Sequence, residues 1–366
     1  MDEYKIVNAD KIPTPALVVY RKFVEENIRS IGEMLGGFVR LRPHIKTHKM
    51  SRIARMEMEA GIDKFKCATP KEAAMLASLG VTDILISYPI VGAAIERVIS
   101  LKQSYPEVDL KVIADDMGAV RALSGSCVAT KVTLGIMIDL NTGMDRTGTS
   151  SREVALNLAQ AIIALPCLTF EGLHAYDGHV SDPDPEVRRQ TAVEAIEKAV
   201  GIRGLIEKEG IQVKRLIASG TPGFEFTAKV PEVDEVSPGT WIFWDTGYGG
   251  KISGRFQWAA LVLSSVISMP GPDLITLDAG SKAISPDTPK PYFRALSLPE
   301  NVEFFLRSEE HQVLRLPPGT PRPAVGDLFY LVPRHVCTTI NLWDEACVID
   351  HGGNFVETWP VDARGH

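Results

Sequence analysis

Residues 132–176 read VTLGIMIDLNTGMDRTGTSSREVALNLAQAIIALPCLTFEGLHAY and contain the repeating unit that decides the fold. Apolar runs at 132–140 and 169–176 flank a stretch of helical spacing, in which Val154 and Leu158 share one stripe. Neither run alternates strictly between apolar and polar residues, which is typical of strands buried on both faces of a parallel sheet. The pattern predicts a strand, a helix and a strand in succession.

Comparable apolar runs recur before residue 246 and are separated by helical stretches. The eight candidate strands are 39–45, 64–69, 83–89, 111–115, 132–140, 169–176, 215–220 and 240–244. The longest helical stretch, 184–209, begins with Asp184 as a candidate N-cap and Pro185 as the first helical residue. Eight strand–helix repeats predict an α/β fold, a (β/α)₈ barrel of the TIM type, and an open doubly wound sheet is the competing fold.

The pattern changes after residue 246, where short strands follow one another across Gly/Pro turns. These candidate strands are 258–268, 274–278, 312–316, 328–332 and 347–350. Residues 15–20 form a further candidate strand before the first helix. We therefore expect the barrel at 21–245 and a second, C-terminal β domain at 246–366, joined by the N-terminal strand segment 1–20.

The composition limits the classes of function. The chain has 366 residues, of which 45% are hydrophobic and 23% charged, so we expect most of it to fold. Acidic residues (46) outnumber basic ones (39), which argues against nucleic acid as a partner. No apolar run approaches the ~20 residues of a membrane span, and the charged N-terminus is unlike a signal peptide. Five scattered cysteines argue against a disulfide framework, so we expect a cytoplasmic location.

The segment 42–49, RPHIKTHK, is dense in residues that can carry chemistry and closes the first candidate barrel strand. Catalytic groups of such barrels gather at the carboxyl ends of the strands, where Lys46 would point into the barrel mouth. Neighbouring His and Lys charges would lower the pKa of its amine, as Schiff-base chemistry requires. The alternative interpretation is a basic surface turn.

Two further strand ends carry candidate residues. Arg146 follows the fifth strand in a glycine-containing loop, where its guanidinium projects a fixed fork of donors. A loop held by an Asp–Arg pair is the alternative there. His174 and Tyr176 end the sixth strand two residues apart, so they share one face and indicate a binding surface. A single buried His is more often only a hydrogen-bonded core residue.

The loops around the seventh and eighth candidate strands are rich in small residues. ASGTPG at 218–223 offers free N–H groups and hydroxyls, and SPGT at 237–240 offers a second set of donors. Phosphate sites of barrel enzymes are built by the loops of these two strands. We therefore expect a phosphate group to bind there.

His335 and Cys337 are the candidate metal ligands, expected on one face of an extended segment of the β domain. An imidazole and a thiolate at this spacing can bind a divalent ion, with Zn²⁺ or Mn²⁺ preferred to Mg²⁺. Two protein ligands leave positions for water and substrate, as a catalytic site requires. The other four cysteines are expected to be buried apolar residues.

Together these segments resemble a known family. Residues 42–49 are similar to the lysine motif of the D-threonine aldolase and metal-dependent D-serine dehydratase family, pyridoxal-phosphate enzymes of fold type III with an alanine-racemase-like barrel. The resemblance covers nearly the whole chain. Its other segments are 14–17 (TPAL), 146–148 (RTG), 174–176 (HAY), 219–222 (SGTP), 278–282 (DAGSK), 310–311 (EH) and 335–337 (HVC).

The resemblance implies a role for each matching residue. Lys46 matches the lysine that binds pyridoxal 5'-phosphate covalently, Arg146 the arginine beside its phenolic oxygen, and Tyr176 a tyrosine lining its ring. His174 is assigned to the cofactor with them. The residues assigned to the phosphate are Ser219, Gly220, Thr221, Gly239 and Thr240. The residues assigned to catalysis are Lys46, His335 and Cys337, and the last two match the metal ligands. The resemblance also implies a homodimer with the active site at its interface.

The implied activity is a metal-dependent lyase reaction on D-β-hydroxy amino acids. The His-x-Cys pair favours a D-serine or D-3-hydroxyaspartate dehydratase, which releases a keto acid and ammonia. The chain length and the TTINL continuation at 338–342 favour an aldolase that cleaves D-threonine-like substrates to glycine and an aldehyde, and we expect the aldolase. An amino-acid racemase would need no metal, and a non-catalytic cofactor-binding protein would lack the β domain, so both are less favoured.

Overall fold

The computed structural model describes residues 2–252 and 254–366. The chain divides into two compact units. The first, here the barrel unit, consists of Gly32–Lys46 and Ala54–Gly239, with the terminal His366. The second, here the β unit, consists of the residues up to Ile31 together with Thr47–Ile53 and Thr240–Gly365. The division expected at 245 and 246 stays a prediction.

The strands are numbered in chain order. They are β1 (Ala16–Tyr20), β2 (Lys64–Cys67), β3 (Asp83–Pro89), β4 (Asp109–Ala114), β5 (Leu134–Asn141), β6 (Leu168–Tyr176), β7 (Arg215–Ala218), β8 (Glu235–Val236), β9 (Ala260–Ser268), β10 (Leu274–Leu277), β11 (Phe293–Ala295), β12 (Glu303–Arg307), β13 (Gln312–Arg315), β14 (Leu328–Pro333), β15 (Glu345–Ile349) and β16 (Phe355–Pro360).

The α-helices are α1 (Arg21–Leu35), α2 (Ser51–Glu59), α3 (Pro70–Ser78), α4 (Ala94–Ser104), α5 (Met117–Thr130), α6 (Arg152–Ala164), α7 (Pro185–Lys208), α8 (Phe224–Thr227), α9 (Thr246–Gly249) and α10 (Val336–Ile340). Short 3₁₀ helices lie at Asp2–Tyr4, Ala9–Lys11, Ile45–Thr47 and Thr240–Ile242. The predicted start of the longest helix is confirmed, since the Asp184 side chain accepts the N–H groups of Glu186 and Val187 at the start of α7. Within the described residues, no helix is long and apolar enough to cross a membrane.

The barrel unit is a parallel sheet with strands in the order β2 to β8. Parallel bridges join Leu41 to Val236 of β8 and His44 to Lys66 of β2, so the segment between them closes the ring. Helices alternate with the strands, as a barrel with buried parallel strands requires. The predicted fold, a TIM-type barrel with a second, C-terminal β domain, is confirmed.

Two of the predicted barrel strands are wrong. Residues 39–45 form only isolated bridges, because Pro43 has no N–H to donate and the 3₁₀ helix Ile45–Thr47 follows at once. Residues 240–244 are not the eighth strand, which is the short β8. They begin with a 3₁₀ turn in which the Phe243 N–H donates to the Thr240 carbonyl at 3.2 Å. The apolar character of this stretch reflects burial, since Trp241 and Phe243 are fully buried.

The β unit contains the predicted short strands in a mostly antiparallel sheet. Its order is β12-β13-β10-β9-β1-β15-β16, with β14 pairing to both β9 and β11. The candidate strand at 15–20 is confirmed as β1, which is antiparallel to β9 and parallel to β15. Val262, Leu277 and Leu314 belong to the apolar core on one side of this sheet.

The amino ends of the barrel strands enclose a buried ion network. Arg42 is fully buried and donates to Asp83 at 2.7 Å and to Glu235 at 2.5 Å. Lys111 is also fully buried and contacts Asp83 at 2.8 Å and Asp109 at 2.5 Å. Burial alone raises the pKa of Asp83, but hydrogen bonds and charge from Arg42, and then Lys111, outweigh it and hold that pKa well below its ordinary value. Each buried cation is therefore paired with carboxylates.

Candidate active site

A cavity of about 380 Å³ lies at the barrel mouth, where the carboxyl ends of the parallel strands meet. Its lining residues come from the segment that closes the barrel and from the ends of four strands, β2, β3, β5 and β6. They are His44, Lys46, Lys66, Ala68, Ser87, Tyr88, Pro89, Arg146, Thr147, His174 and Tyr176. Four of the residues assigned from the sequence to catalysis or the cofactor, Lys46, Arg146, His174 and Tyr176, therefore share one cavity.

Lys46 lies in the 3₁₀ turn that ends the closing segment of the barrel. Its Nζ is 5.6 Å from the centre of the Tyr176 ring. The nearby Lys49 donates instead to the Cys337 carbonyl at 3.2 Å, and Lys282 is exposed and paired with glutamates on its own unit. Lys46 is thus the lysine of these three that lines the cavity.

The Tyr176 ring is surrounded by cations. The Arg146 guanidinium carbon lies 5.1 Å and the Lys66 Nζ 5.5 Å from its centre. Two glycines leave room for this ring, because a Cβ at Gly178 or Gly220 would come within 2.4 or 2.9 Å of it. Three basic side chains, Lys46, Lys66 and Arg146, therefore lie near one aromatic ring of the cavity, which suits an anionic ligand.

Both ring nitrogens of His174 form hydrogen bonds. Its Nδ1 lies 2.6 Å from Asp139 Oδ1, and its Nε2 lies 2.9 Å from Lys66 Nζ. Burial raises the pKa of Asp139, but the hydrogen bond from His174 outweighs it, and the pKa is lowered. Burial and then the Lys66 charge lower the pKa of His174. An ionised Asp139 can only accept, so Nδ1 carries the proton and Nε2 accepts from Lys66.

Lys66 was not identified from the sequence. Its side chain is buried on β2 and donates to His174 and to Ser237 Oγ, each at 2.9 Å. Burial and then repulsion from Lys46 lower the pKa of its amine to about 7. The available signal was a lysine in the middle of the apolar run KFKCAT at 64–69.

The expected phosphate loop follows β7, and the N–H groups of Ser219 and Gly220 in it are hydrogen-bonded within the chain. The Ser219 N–H donates to Ala175, the Gly220 N–H to Asp177 Oδ1 at 2.5 Å, and the Gly239 N–H to Thr221 Oγ1 at 3.1 Å. Free N–H groups were expected in the loop at 218–223, and these three are not free in the structure, while the assignment of the phosphate to this loop stays a prediction. The acidic partner, Asp177, is buried, which raises its pKa to about 7.

The Ser219 hydroxyl is what this loop offers to a phosphate. Ser219 takes a left-handed backbone conformation (φ 63°), and its Oγ is buried without a hydrogen-bond partner among the described residues. A buried hydroxyl without a partner is costly unless a ligand supplies one. The residues present therefore fit a phosphate group. Thr240, also assigned to the phosphate, belongs to the β unit, where its Oγ1 lies 3.6 Å from Cys337 Sγ.

The β unit places His335 and Cys337 at the start of α10, not on an extended segment as expected. His335 is the residue before the helix, and the Asp245 carboxylate accepts the Val336 N–H at 3.1 Å. This cap allows the chain to turn into a helix immediately after His335. The Cys337 thiol lies 3.2 Å from Thr47 Oγ1.

Asp287 is the partner of His335 that the sequence did not reveal. Its Oδ2 accepts from His335 Nδ1 at 2.6 Å, and its Oδ1 accepts from the Thr338 hydroxyl at 3.1 Å. Burial lowers the pKa of His335, but hydrogen bonding and charge from Cys337 and Asp287 outweigh it and raise the pKa to about 9. A carboxylate on the far nitrogen of an imidazole is the arrangement that orients metal-binding histidines. Across 2–252 and 254–366, no group of three or more His, Cys, Asp or Glu is arranged to hold a metal ion.

Comparisons with known proteins agree with this arrangement. The alanine racemase N-terminal domain family matches residues 21–246, and the putative serine dehydratase domain family matches residues 259–349. A D-threonine aldolase from Arthrobacter sp is 30% identical over 362 residues, covering 97% of this chain and 93% of that enzyme. A 3-hydroxy-D-aspartate aldolase from Paracoccus denitrificans is 30% identical over 375 residues, covering 98% and 94%.

The fold also matches a solved structure. The crystal structure of D-threonine aldolase from Filomicrobium marinum aligns with a TM-score of 0.91 at 28% identity, covering 99% of this chain and 98% of that one. Family models, relatives and structure thus agree over both units. The chain belongs to the D-threonine aldolase and D-serine dehydratase family of alanine-racemase-like pyridoxal-phosphate enzymes.

Proposed function

We propose that this protein is a pyridoxal-phosphate- and metal-dependent lyase that cleaves D-threonine-like D-β-hydroxy amino acids to glycine and an aldehyde. The observation that carries the proposal is the cation-lined cavity at the barrel mouth, which holds the Lys46 amine above the Tyr176 ring. The carbon–carbon branch is supported by two relatives that span nearly the whole chain at 30% identity, because both are named as aldolases.

The barrel unit supplies the groups that would hold the cofactor. Lys46 would bind its aldehyde, Arg146 its phenolic oxygen and the Ser219 hydroxyl its phosphate, while His174 and Tyr176 line the cavity. When bound, pyridoxal phosphate withdraws the electron pair left on the α-carbon of an amino acid when one of its bonds breaks. The cation-rich lining would keep this anionic group in place.

His335 and Cys337 would hold the divalent ion, Zn²⁺ or Mn²⁺ in preference to Mg²⁺. Asp287 would fix the orientation of the His335 ring through the 2.6 Å contact to Nδ1. The chemistry that such an ion supplies is Lewis acidity toward a hydroxyl group. In the reaction, the β-hydroxyl loses its proton, the Cα–Cβ bond breaks to give the aldehyde, and the α-carbon takes up a proton to give glycine.

Metal removal tests the proposal directly. A chelator should abolish cleavage and leave the fold and the yellow colour of the bound cofactor unchanged. Cys337→Ala should do the same, and added metal should not restore full activity. Asp287→Asn should weaken metal binding by roughly 10- to 100-fold. Cys347→Ala, on β15 of the same unit, is the matched control and should keep its metal. Full cleavage activity of the chelated enzyme would contradict the metal-dependent mechanism, and racemisation without any cleavage would favour a racemase instead.

A dehydratase is the second candidate, and two observations favour it. The metal pair contains Cys337, and residues 259–349 match the putative serine dehydratase domain. The protein should be incubated with D-threonine, D-serine and D-3-hydroxyaspartate, with separate assays for glycine, keto acid and ammonia. Glycine from D-threonine or D-3-hydroxyaspartate supports the aldolase. Keto acid and ammonia without glycine would assign the dehydratase.

We further propose a homodimer with the active site at its interface and a cytoplasmic location. The resemblance to the family supports the dimer, and five free thiols support a reducing compartment. Light scattering coupled to size-exclusion chromatography measures the mass of the protein in solution. A monomer that retains full activity would contradict the proposed dimer.

A further inference from the structure

We propose that Lys66 is a positioning residue of the cofactor site, whose amine holds the His174 ring in its Nδ1–H tautomer and ties that ring through Ser237 to the Ser219 loop. The relevance of this network to the cofactor rests on the proposed function. The network itself consists of side chains of the barrel unit and can be measured without any reaction.

The first step in the argument is the environment of Lys66. Only 2% of this residue is exposed, and its hydrogen-bond partners are an imidazole and a hydroxyl rather than a carboxylate. Buried lysines are normally paired with acids, because an unpaired ammonium in a protein interior is costly. A buried lysine without an acidic hydrogen-bond partner does not stabilise the fold, which indicates that its role lies in the function of the site.

The second step is the tautomer of His174. Asp139 Oδ1 accepts from Nδ1 at 2.6 Å, and Thr147 Oγ1 donates to the other Asp139 oxygen at 2.8 Å. Asp139 is thereby fixed as an acceptor on one edge of the ring. Lys66 supplies the donor on the opposite edge, at 2.9 Å from Nε2. With both nitrogens occupied, the ring can neither rotate nor pick up a proton without breaking a hydrogen bond.

The third step is the connection to the phosphate loop. Ser237 Oγ accepts from Lys66 and lies 3.3 Å from the Ser219 carbonyl, to which it can donate. Ser219 has a left-handed backbone, and its buried hydroxyl has no hydrogen-bond partner in the part of the chain that the structure describes. One hydrogen-bonded path therefore runs through Asp139, His174, Lys66, Ser237 and the Ser219 backbone. It joins the His174 ring to the loop that would hold the phosphate.

Electrostatics supports the same role. The charged and titratable groups that act on Lys66 or His174 are Lys46, Arg146, Asp139 and Asp177. Repulsion from the Lys66 amine is, after burial, the largest cause of the lowered pKa of His174. Without Lys66, the neighbouring Asp139 carboxylate would favour a protonated ring. Lys66 thus keeps a neutral imidazole beside the cofactor position.

The test replaces Lys66 with methionine, which keeps the length of the side chain and removes the amine. We expect the ¹⁵N signals of the His174 ring in the full-length apoprotein to titrate at higher pH than in the wild type. We also expect cofactor affinity to fall by about ten-fold or more, the loss expected for hydrogen bonds from a charged group. Lys208→Met, at the exposed end of α7, is the control and should change neither value.

The tautomer of His174 can also be measured directly in the wild-type protein from the ¹⁵N signals of its ring. The variant His174→Asn serves only to assign these signals. A His174 ring with its proton on Nε2 would overturn the proposal even if Lys66→Met fails to fold. An unchanged His174 titration and unchanged cofactor affinity in a folded Lys66→Met protein would also overturn it. Absence of any cofactor binding by the wild type would instead overturn the proposed function and leave the tautomer measurement interpretable.

Discussion

Lys66 and Lys111 are two buried lysines inside the same barrel, and their surroundings differ completely. Lys111, at the amino ends of the strands, is 0% exposed and contacts the carboxylates of Asp83 and Asp109. Lys66, at the mouth, is 2% exposed and contacts an imidazole, a hydroxyl and an aromatic ring. Lys111 is thus paired with carboxylates at one end of the barrel, whereas the hydrogen bonds of Lys66 at the other end go to groups that are not acids.

This difference indicates that the charged residues at the amino ends stabilise the fold, whereas those at the mouth bind a ligand. At the amino ends each buried cation is paired with carboxylates, so removing one member of a pair would leave a buried charge and lower the free energy of unfolding. At the mouth, Lys66 is hydrogen-bonded to an imidazole and a hydroxyl, and Lys46 and Arg146 line the same cavity. Basic side chains gathered there are suited to an anionic ligand, and the phosphate and phenolic oxygen of the proposed cofactor are anions. We therefore expect substitutions at the mouth to change chemistry and substitutions at the amino ends to change the free energy of unfolding.

Lys46→Ala should have the largest effect on activity. Loss of the amine that would bind the cofactor aldehyde should lower the rate by on the order of 10³-fold or more, with little change in unfolding temperature. Borohydride reduction followed by peptide mapping of the wild type should place the label on Lys46. Label on Lys66, the second buried amine of the same cavity, would reverse the assignment of the two lysines. The exposed Lys208→Ala serves as the control.

Arg42→Met should have the largest effect on stability. It leaves the carboxylates of Glu235 and Asp83 without their shared guanidinium, and breaking such a buried pair costs about 3–5 kcal/mol. Chemical denaturation measures this loss. Below the unfolding transition, the variant should bind the cofactor as the wild type does. A loss under about 1 kcal/mol, as for exposed pairs, or a selective loss of cofactor binding would contradict the separation of the two ends.

The barrel could be predicted from the sequence because its signal is periodic and local. Runs such as 132–140 and 169–176 are long enough to identify β5 and β6 without any knowledge of their neighbours. The eighth strand was misplaced because β8 has only two residues and the apolar stretch after it is buried in a turn. Burial and strand formation give the same apolar signal in so short a segment.

The candidate site was predicted where a residue type at a strand end is informative in itself. Lys46, Arg146 and Tyr176 meet this condition, and the structure brings them to one cavity. Lys66 and Asp287 do not, because their roles depend on partners distant in sequence. Lys66 and His174 are 108 residues apart in the sequence and come into contact only in the folded barrel, so no local pattern predicts this contact.

The pH dependence of stability offers the smallest and most specific test of the comparison. The pKa of Asp83 is lowered in the folded protein, since Arg42 and Lys111 outweigh the opposing effect of burial. The unfolded chain has an ordinary Asp pKa near ~3.9. Because the pKa of Asp83 is lower in the folded protein than in the unfolded chain, ionised Asp83 stabilises the fold. This contribution to the free energy of unfolding is complete above about pH 5 and is lost as the pH falls through ~4 toward the folded pKa.

Asp83→Asn should remove this contribution, because an amide does not titrate. We expect the variant to be about 2 kcal/mol less stable at pH 7, the worth of a hydrogen bond to a charged group, and the difference should shrink below about pH 4. Urea denaturation at a series of pH values measures it. Asp109→Asn, at the more exposed partner of the same Lys111, should change stability less because solvent screens that pair. A difference between wild type and Asp83→Asn that stays constant from pH 7 to pH 3 would show that Asp83 acts by packing rather than by charge.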